Sequence, residues 1–414
     1  MCIRDRFKDI DLEKISMSQT INGPAIILFA FYIALAKKNK IDISKLRGTL
    51  QNDALKEYIA QKEWIFPPKA SMRLVTDMLT YCTKHMERFN TISISGYHIR
   101  EAGSTAAQEL AFTLADGFSY IEHGINSGLK VDDFAPRLSF FFNSHLDFFE
   151  EIAKFRAARR IWAKRLRYKY QAKNEKSWKL RFHTQTAGCS LTAQQPENNI
   201  ARTGFQALAG VLGGTQSLHT NSMDETLALP SEKAAEIALR TQQIIAYETG
   251  VSNVVDPLGG SWYLEKLTDE IEEEVEIYFK EIENIGGVIP AIEQGYFQRE
   301  IARSASEYQE KVDKNKRIVV GVNDFVKDNE EIDIPILEIS SKSANNQIKS
   351  LEKLKNSRDE LALQNSLNEV AIACKNNLNL VEPIIKAARH YATIGEIVQK
   401  MKGEFGEWQE SAVF

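Results

Sequence analysis

The stretch TISISGYHIREAG (91–103) joins a short β-branched run to a polar pair and then to a helical segment. The run TISISG (91–96) is typical of a strand, Tyr97 and His98 follow it directly, and residues 106–123 have helical period. Five other stretches repeat this order, which predicts a parallel α/β fold. The six predicted strands are 15–20, 46–51, 91–96, 137–142, 180–186 and 215–220. The predicted helices between them are 71–85, 106–123, 146–170, 198–212 and 231–247.

Polar residues close most of these predicted strands. They are Gln19-Thr20, Gln51-Asn52-Asp53, Tyr97-His98, His183-Thr184-Gln185 and His219-Thr220-Asn221. In a parallel barrel, side chains at the carboxyl ends of the strands converge on one mouth, where active sites lie. For any single end, a helix N-cap or a satisfied core polar group is the simpler interpretation. Five such ends in series favour a site.

The rest of the chain differs in character. An acidic helix is predicted over 267–285, a strand-like run RIVVGV over 317–322, a charged linker over 327–336 and a helical tail over 345–414. We therefore divide the chain into a partial barrel (1–255), a helical continuation packed on it (256–335) and a helical linker segment (336–414).

Composition excludes several classes of protein. A net charge of −4 and the absence of basic runs interleaved with aromatics argue against a nucleic-acid partner. The longest apolar run, 25–36, is too short to span a bilayer and predicts a buried helix, so no membrane association is expected. The four cysteines lack CxxC spacing and the first residues lack a signal-peptide core, which favours a cytoplasmic location.

Long motifs carry a resemblance that composition does not show. They are QNDALKEY (51–58), IFPP (65–68), SISGYHIREAG (93–103), ELAFTLADG (109–117), DDFAPRLSFFF (132–142), HTQTAGCSLTAQQPENNIARTG (183–204), GGTQSLHTNSMDETLALP (213–230) and DPLGGSWYLE (256–265). With them, nearly the whole chain resembles the methylmalonyl-CoA mutase large-chain family. The resemblance implies a (β/α)8 TIM-type barrel, here with about six of eight strands, and a C-terminal helical extension. Its bore would admit the pantetheine arm of an acyl-CoA, and its mouth would face a corrin ring carried by another domain.

The chemistry implied by the resemblance is a radical 1,2-rearrangement that depends on adenosylcobalamin, in which the thioester group migrates. His98 would donate a hydrogen bond to the thioester oxygen as a partly protonated imidazole, and Gln51 would be a second polar contact. Tyr97 would separate the adenosyl group from the substrate. The plainer interpretations are a core histidine and a packed tyrosine.

Two further groups of residues match family positions. Gln185, Asn221 and Glu225 would bind the adenosyl ribose, whose two hydroxyls need mixed donors and acceptors; helix capping is the alternative for the last two. Arg137, His183 and Gln216 would bind coenzyme A, with a structural salt bridge as the alternative for Arg137.

The chain also departs from the family. The family has two strands before the one at 15–20, so we expect a fragment with an arbitrary start (MCIRDR), open edges at 15–20 and 215–220, and poor solubility or activity by itself. The cobalamin module's D-x-H-x-x-G loop is also missing, because no histidine here follows an aspartate by two residues. The cobalt ligand should come from a small cobalamin-binding subunit in a hetero-oligomer, and no metal site is expected in this chain.

Gln61 bears on the substrate. Family members that act on methylmalonyl-CoA carry arginine ten residues after the glutamine of QND, where it pairs with the substrate's free carboxylate; here that position is Gln61. An amide cannot replace that charge. Lys62 would point about 100° away on a helix. A neutral C4 acyl-CoA of the isobutyryl, butyryl or 2-hydroxyisobutyryl type is therefore predicted, with methylmalonyl/succinyl-CoA as the alternative.

Two rival functions come from other classes. An incomplete barrel could be a non-catalytic acyl-CoA-binding or scaffolding chain. A metal-dependent lyase or a Schiff-base aldolase would need clustered acids or a lysine at the strand ends. The predicted strand ends are rich in Gln, Thr, Asn and His and poor in acids and lysine, which argues against that second rival.

Overall fold

Parallel strands in chain order form the centre of the computed structural model, which describes residues 6–328, 334, 337 and 340–410. They are β1 (Ser16–Gln19), β2 (Arg47–Leu50), β3 (Phe89–Asn90), β4 (Ile92–Ser95), β5 (Leu138–Ser144), β6 (Phe182–Thr186) and β7 (Ser217–His219). Every pairing is parallel, with neighbours in sequence adjacent in space. Thr91 interrupts the third strand, but the Ser93 amide donates to the Gln51 carbonyl at 2.9 Å and continues the ladder.

All six predicted strands are confirmed as parallel strands, and the α/β class with them. Among the described residues β1 and β7 do not pair, so the barrel is not closed. The predicted strand at 317–322 is wrong: its only sheet-like pairing is an isolated bridge between Val320 and Asp324. Gly321 has φ of +84°, and the Asn323 side chain binds the backbone of Val319 and Arg317, which turns the chain back on itself.

Helices follow the strands and cover one face of the sheet. The main ones are α1 (Ala25–Lys38), α2 (Pro68–His85), α3 (Tyr97–Glu101), α4 (Ala106–Asn126), α5 (Val131–Phe134), α6 (Phe148–Lys164), α7 (Glu175–Trp178), α8 (Asn198–Leu212), α9 (Glu232–Tyr247), α10 (Trp262–Ile285), α11 (Val288–Glu293) and α12 (Tyr296–Asp313). The predicted helix over 146–170 ends earlier, at Lys164, and a π-type turn (Arg165–Lys169) replaces its last residues. Thr105 and Gln108 form a capping box that fixes the start of α4.

The first hydrophobic core lies between β4–β6 and helices α4, α6 and α10. Trp162 is 1% exposed and packs against Phe118 and Phe140 at ring-centroid distances of 5.5 and 4.9 Å. Replacing such a buried tryptophan by alanine lowers the free energy of unfolding by about 3–5 kcal/mol. Outside this core, exposed ion pairs such as Arg160–Glu272 join α6 to α10 and contribute less, about 0.2–1 kcal/mol each.

The second hydrophobic core joins the two ends of the chain. Helix α1, the apolar run of the sequence, is buried over most of its length as predicted. It packs against the C-terminal helices. These are α13 (Ser341–Ser357), α14 (Glu360–Lys375), α15 (Val381–Arg389) and α16 (Ile394–Phe405), of which α14 to α16 contribute to the core. Most of the predicted linker at 327–336 lies outside the described residues, and the three-part division of the chain stays a prediction. No helix of the described part is both long enough and apolar enough to cross a bilayer.

The concave face of the sheet is lined by small polar side chains. Alternate positions such as Met17, Ile94 and Phe140 are buried against the helices. The opposite positions keep partial or full exposure, and they include the larger residues Arg47, Phe141, His183 and Gln185. The small polar residues on this face are Ser16, Ser18, Thr49, Ser93, Ser139 and Ser217. Barrel interiors are usually filled by bulky branched residues. This inner face therefore leaves open space along the strands.

Candidate active site

A tight turn after β2 brings the QND motif to the carboxyl end of the sheet. Gln51 is 6% exposed, and Asn52 takes a left-handed conformation with φ of +46°. The Asn52 side chain donates to the Thr91 carbonyl at 3.1 Å. Asn is one of the few residues that adopt this conformation readily. A single π-type turn, Glu57–Gln61, follows and directs Gln61 back toward Gln51.

Lys56 lies at the centre of these residues with no exposed side-chain surface. Its Nζ donates to Gln51 Oε1 at 3.1 Å and to Gln61 Oε1, and it lies 3.1 Å from His98 Nδ1. Glu57 Oε1 is 3.6 Å away. We call Gln51, Lys56, Gln61 and His98 the lysine cluster. It unites three of the residues predicted from the sequence around one that the sequence did not single out.

His98 is the second residue of the short helix α3, which Gly96 separates from β4. Ser95 Oγ is 3.0 Å from its Nδ1. Burial and the nearby Lys56 charge lower the His98 pKa to about 3. A second buried cation beside Lys56 is unfavourable, so this low pKa favours a neutral His98 ring over the partly protonated imidazole that the resemblance implies.

Tyr97 lies between the lysine cluster and a second group of polar side chains. Its ring stacks on Phe141 at 4.9 Å, and its hydroxyl accepts from Gln185 Nε2 at 2.9 Å. The same Gln185 amide donates to Asn221 Oδ1 at 2.8 Å. We call Tyr97, Gln185 and Asn221 the amide cluster. Burial raises the Tyr97 pKa well above its usual range, so the phenol is neutral.

Gly188 forms a cradle beside the amide cluster. A Cβ on this residue would lie 3.0 Å from Glu101 Oε2 and 3.2 Å from Asn221 Nδ2. Glu101 accepts from Asn143 Nδ2 at 2.7 Å and from the Cys189 amide at 2.8 Å. A side chain here would press on Glu101 and Asn221, so glycine keeps this space open.

Glu225 lies in the loop after Asn221 and is exposed. Its carboxylate has no hydrogen-bond partner among the described residues, and burial followed by the Asp224 charge raises its pKa. The capping alternative is wrong for both residues, because the next helix, α9, begins at Glu232 and is capped by the Ser231 hydroxyl. Glu225 is thus available to a ligand, whereas Asn221 is buried and its amide is held by Gln185 and the Thr186 carbonyl.

The predicted coenzyme A residues are spread along the strands. Arg137 lies at the amino end of β5 and binds Thr83 Oγ1 at 2.9 Å and the Asp133 carbonyl at 2.5 Å, with no carboxylate partner among the described residues. Gln216 is near the same end, and its Oε1 accepts from the Phe182 amide at 2.7 Å. His183 lies midway, with Nδ1 2.7 Å from Ser217 Oγ. The structure does not bring these three side chains together.

Lys62 points away from the site, as expected. It takes a left-handed conformation with φ of +69°, pairs with Glu410 and lies 5.5 Å from the Trp64 ring centroid. Gln61 turns its amide nitrogen to Glu63 Oε2 at 2.8 Å. The cation next to Gln61 is therefore Lys56 rather than Lys62.

Sequence reasoning missed Lys56 and the supporting residues Ser95, Glu101 and Asn143. The signal for Lys56 was its place inside the QNDALKEY motif, five residues after Gln51. The statement that the strand ends lack lysine thus needs correction. Lys56 is nevertheless a poor Schiff-base nucleophile, because its side chain is fully buried and its N–H groups are engaged. No cluster of three or more metal-ligating side chains occurs among the residues that the structure describes.

A surface groove of about 600 Å³ lies elsewhere, between α1 and α15. Four of its charged residues are paired with one another, as Lys37–Glu382 and Lys386–Glu369. It lacks the convergent free polar groups of a binding site. The carboxyl ends of the strands remain the candidate active site.

Comparison with known proteins identifies the family. The family model described as methylmalonyl-CoA mutase matches residues 3–407. The chain belongs to the methylmalonyl-CoA mutase family. It is 49% identical over 407 residues to the 2-hydroxyisobutanoyl-CoA mutase large subunit of Aquincola tertiaricarbonis, with 98% of this chain and 72% of that protein covered.

Two methylmalonyl-CoA mutases are nearly as similar to this chain as the Aquincola tertiaricarbonis protein is. The Escherichia coli protein is 46% identical and the human mitochondrial protein 44% identical, each over 403 residues and 97% of this chain. The alignments cover 56% and 54% of those two proteins, so the chain spans little more than half of their length. Identity values this close place the chain in the family but do not separate its substrates.

Proposed function

We propose that this chain is the substrate-binding part of an adenosylcobalamin-dependent acyl-CoA mutase, which moves the thioester carbonyl group of a neutral C4 acyl-CoA to the adjacent carbon. The observation that carries the proposal is the lysine cluster. In a member of this family, it holds a neutral imidazole and two glutamine side chains at the carboxyl end of parallel strands.

The inner face of the sheet supports the binding of an acyl-CoA arm. Small polar residues such as Ser93, Ser139 and Ser217 leave room where a filled barrel would carry branched side chains. We propose that the complete enzyme closes this sheet into an eight-stranded barrel. The pantetheine would then run along the serine-lined face from Arg137 and Gln216, past His183, to the lysine cluster.

At the carboxyl end, His98 donates Nε2–H to the thioester oxygen. A neutral imidazole suits this task, because the migrating carbonyl gains charge and needs a fixed donor rather than a mobile proton. Gln51 is the second donor: its Oε1 accepts from Asn22 Nδ2 at 3.0 Å and from Lys56, and its amide nitrogen remains for the substrate. Tyr97 shields the reacting carbons from Gln185 and Asn221.

The amide cluster and its surroundings fit an adenosyl group. The Gly188 cradle leaves space, Gln185 offers its amide oxygen while Asn221 holds that amide in place, and Glu225 offers an unpaired carboxylate that can accept from ribose hydroxyls. When bound, adenosylcobalamin supplies the radical that begins the rearrangement. The residues of this chain bind and orient the adenosyl group and exclude water from it.

A separate small subunit completes the proposed enzyme. The relative from Aquincola tertiaricarbonis is named a large subunit, and this chain lacks a D-x-H-x-x-G histidine that could bind cobalt. We therefore assign the cobalt ligand to a cobalamin-binding partner.

The substrate assignment rests on Gln61 and is sharpened by Lys56. Although Lys56 is a cation close to Gln61, its ammonium already contacts Gln51, Gln61 and His98 and has no exposed surface. It cannot also pair with a substrate carboxylate. A second carboxylate would be buried without a partner at a cost of several kcal/mol, which favours isobutyryl-, butyryl- or 2-hydroxyisobutyryl-CoA over methylmalonyl- or succinyl-CoA.

The test combines the complete large chain with its cobalamin subunit and adenosylcobalamin. We expect higher kcat/KM for isobutyryl- or 2-hydroxyisobutyryl-CoA than for succinyl-CoA, and no turnover without the small subunit. Higher kcat/KM for succinyl-CoA would overturn the substrate assignment. Acyl-CoA binding without turnover of any substrate would instead support the non-catalytic alternative.

A further inference from the structure

The polar partners of Lys56 differ from those of a typical buried lysine. Its ammonium is fully buried and meets Gln51 Oε1 at 3.1 Å, Gln61 Oε1, and the His98 ring at 3.1 Å from Nδ1 and 3.4 Å from Nε2. Buried ammonium groups normally pair with a carboxylate at close range. Here the nearest carboxylate oxygen, Glu57 Oε1, is 3.6 Å away, while all the closer partners are proposed active-site groups.

An ammonium only donates, so it dictates the orientation of each neighbour. Both glutamines must present oxygen to Lys56, which turns their amide nitrogens away from it. Gln61 directs its nitrogen to Glu63, whereas the Gln51 nitrogen has no partner among the described residues. Lys56 therefore leaves Gln51 as a free donor.

The same reasoning applies to His98. An ammonium favours a ring nitrogen that offers its lone pair. Lys56 Nζ is 3.1 Å from Nδ1 and 3.4 Å from Nε2, and Nδ1 also has Ser95 Oγ at 3.0 Å, so Nδ1 is the nitrogen with two neighbouring donors. This arrangement favours the proton of the neutral ring on Nε2. The backbone amide of Ser95 donates to Asp53 Oδ2 at 2.7 Å, which holds the main chain that carries this hydroxyl.

We infer that Lys56 is a positioning residue that locks His98 in its Nε2–H tautomer and turns the Gln51 amide nitrogen outward, so that two donors are set before the thioester oxygen arrives. The inference deepens the proposed function and rests on it. Lys56 itself does not touch the substrate.

The charges around the cluster are consistent with this role. Lys56 faces the carboxyl groups of Glu57, Asp53 and Glu63, and Asp53 in turn faces Asp116 and the hydroxyl of Tyr120. On its other side His98 meets the neutral rings of Tyr97 and Phe141. Burial lowers the Lys56 pKa, while the Glu57 and Asp53 charges oppose that shift and favour the ammonium. Burial is the larger cause of the low His98 pKa, and the Lys56 charge adds to it, so Lys56 helps to keep the imidazole neutral.

The first measurement is the tautomer of His98 in the complete large chain without cofactor, by imidazole ¹⁵N NMR after histidine-selective labelling. His98→Gln identifies the His98 signals among those of the seven histidines. We expect an Nε2–H ring that does not titrate between about pH 5 and 8, against a usual histidine pKa of about 6.5. An Nδ1–H ring in the wild-type protein would overturn the inference, whatever the variants do.

The second measurement uses Lys56→Met, which keeps length and removes charge and donors. We expect His98 to titrate closer to pH 6.5 and to populate both tautomers, with Lys62→Met as the matched control that leaves the signals unchanged. In the complete enzyme with cofactor, kcat should fall about 100-fold with KM for the acyl-CoA changed less than about threefold. If Lys56→Met does not fold, Lys56→Arg retains the cation, and it should preserve the neutral ring.

Unchanged His98 titration and tautomer in folded Lys56→Met would overturn the positioning role. A correct His98 response without turnover of any acyl-CoA would instead count against the proposed function alone. The NMR measurement therefore separates the two.

Discussion

The lysine cluster and the amide cluster occupy the same end of the sheet but are built differently. Lys56 is a fully buried charge that orders its neighbours at hydrogen-bond distance. The amide cluster contains only neutral groups, and it opens toward Glu225 and Cys189, which are exposed. Under the proposed function, this difference means that the acyl side would be ordered before substrate binds, whereas the cofactor side would stay accessible to a large group from another chain.

The two clusters also differ in what supports them. Behind the amide cluster, Asn143 links Glu101 to a buried ion cluster formed by Glu109, Glu151 and Lys154. Lys154 Nζ is 2.6 Å from Glu109 Oε2 and 2.8 Å from the Asn143 carbonyl. Asn143 thus connects the open side of the mouth to this buried ion cluster.

The largest expected effect tests the contribution of this buried ion cluster to stability. Lys154→Met leaves Glu109 and Glu151 as buried carboxyl groups without their cation, so the free energy of unfolding should fall by about 3–5 kcal/mol. Denaturant titration measures it. The control is Lys164→Met, in which an exposed lysine on the same helix loses its pair with Glu272 and should change stability by less than about 1 kcal/mol. Equal effects for both variants would show that the buried ion cluster has no special role.

The next effect tests the acyl side directly. His98→Gln removes the proposed donor to the thioester oxygen, and kcat should fall by about 10²–10³ because that bond strengthens as charge develops. Steady-state kinetics of the complete enzyme provide the measurement. His123→Gln is a suitable control, since His123 lies on helix α4 and its side chain hydrogen-bonds only to the Ser119 carbonyl among the described residues. A loss below tenfold for His98→Gln would remove the imidazole from the reaction.

A third variant changes the charge of the lysine cluster. Gln61→Arg replaces an acceptor of Lys56 with a second cation, so kcat/KM for the C4 monoacids should fall by about tenfold or more through repulsion and lost orientation. Assays with isobutyryl- and succinyl-CoA give the ratio, which should shift toward succinyl-CoA. Lys62→Gln, which alters a lysine that pairs with Glu410 outside the site, should leave the ratio unchanged. If Gln61→Arg leaves it unchanged too, position 61 does not select the substrate.

The sequence predicted the amide cluster better than the lysine cluster. Gln185 lies in β6 and Asn221 follows β7 closely, and parallel strands bring such ends together. Lys56 comes five residues after Gln51, between the left-handed Asn52 and a π-type turn. Neither of these backbone features has a hydrophobic periodicity, so the sequence pattern does not indicate where the Lys56 side chain lies. The failed strand at 317–322 has the same cause, because Gly321 and Asn323 reverse a run whose β-branched residues alone predict extension.

The smallest expected effect comes from Gly188→Ala, which tests whether the amide cluster binds the cofactor. Gly188→Ala adds a Cβ 3.0 Å from Glu101 Oε2 and 3.2 Å from Asn221 Nδ2, so these side chains must shift by a few tenths of an ångström. Because φ at Gly188 is not in the left-handed region, alanine itself is tolerated by the backbone.

We expect the Kd for adenosylcobalamin of the assembled enzyme to rise about three- to tenfold in Gly188→Ala, while KM for the acyl-CoA stays constant. The control is Gly204→Ala in helix α8, where the nearest atom to the added Cβ is the Thr241 methyl at 4.0 Å. An effect on acyl-CoA binding with none on the cofactor would reverse the assignment of the two clusters. The neutral, open half of the mouth would then hold the substrate and the charged half the cofactor.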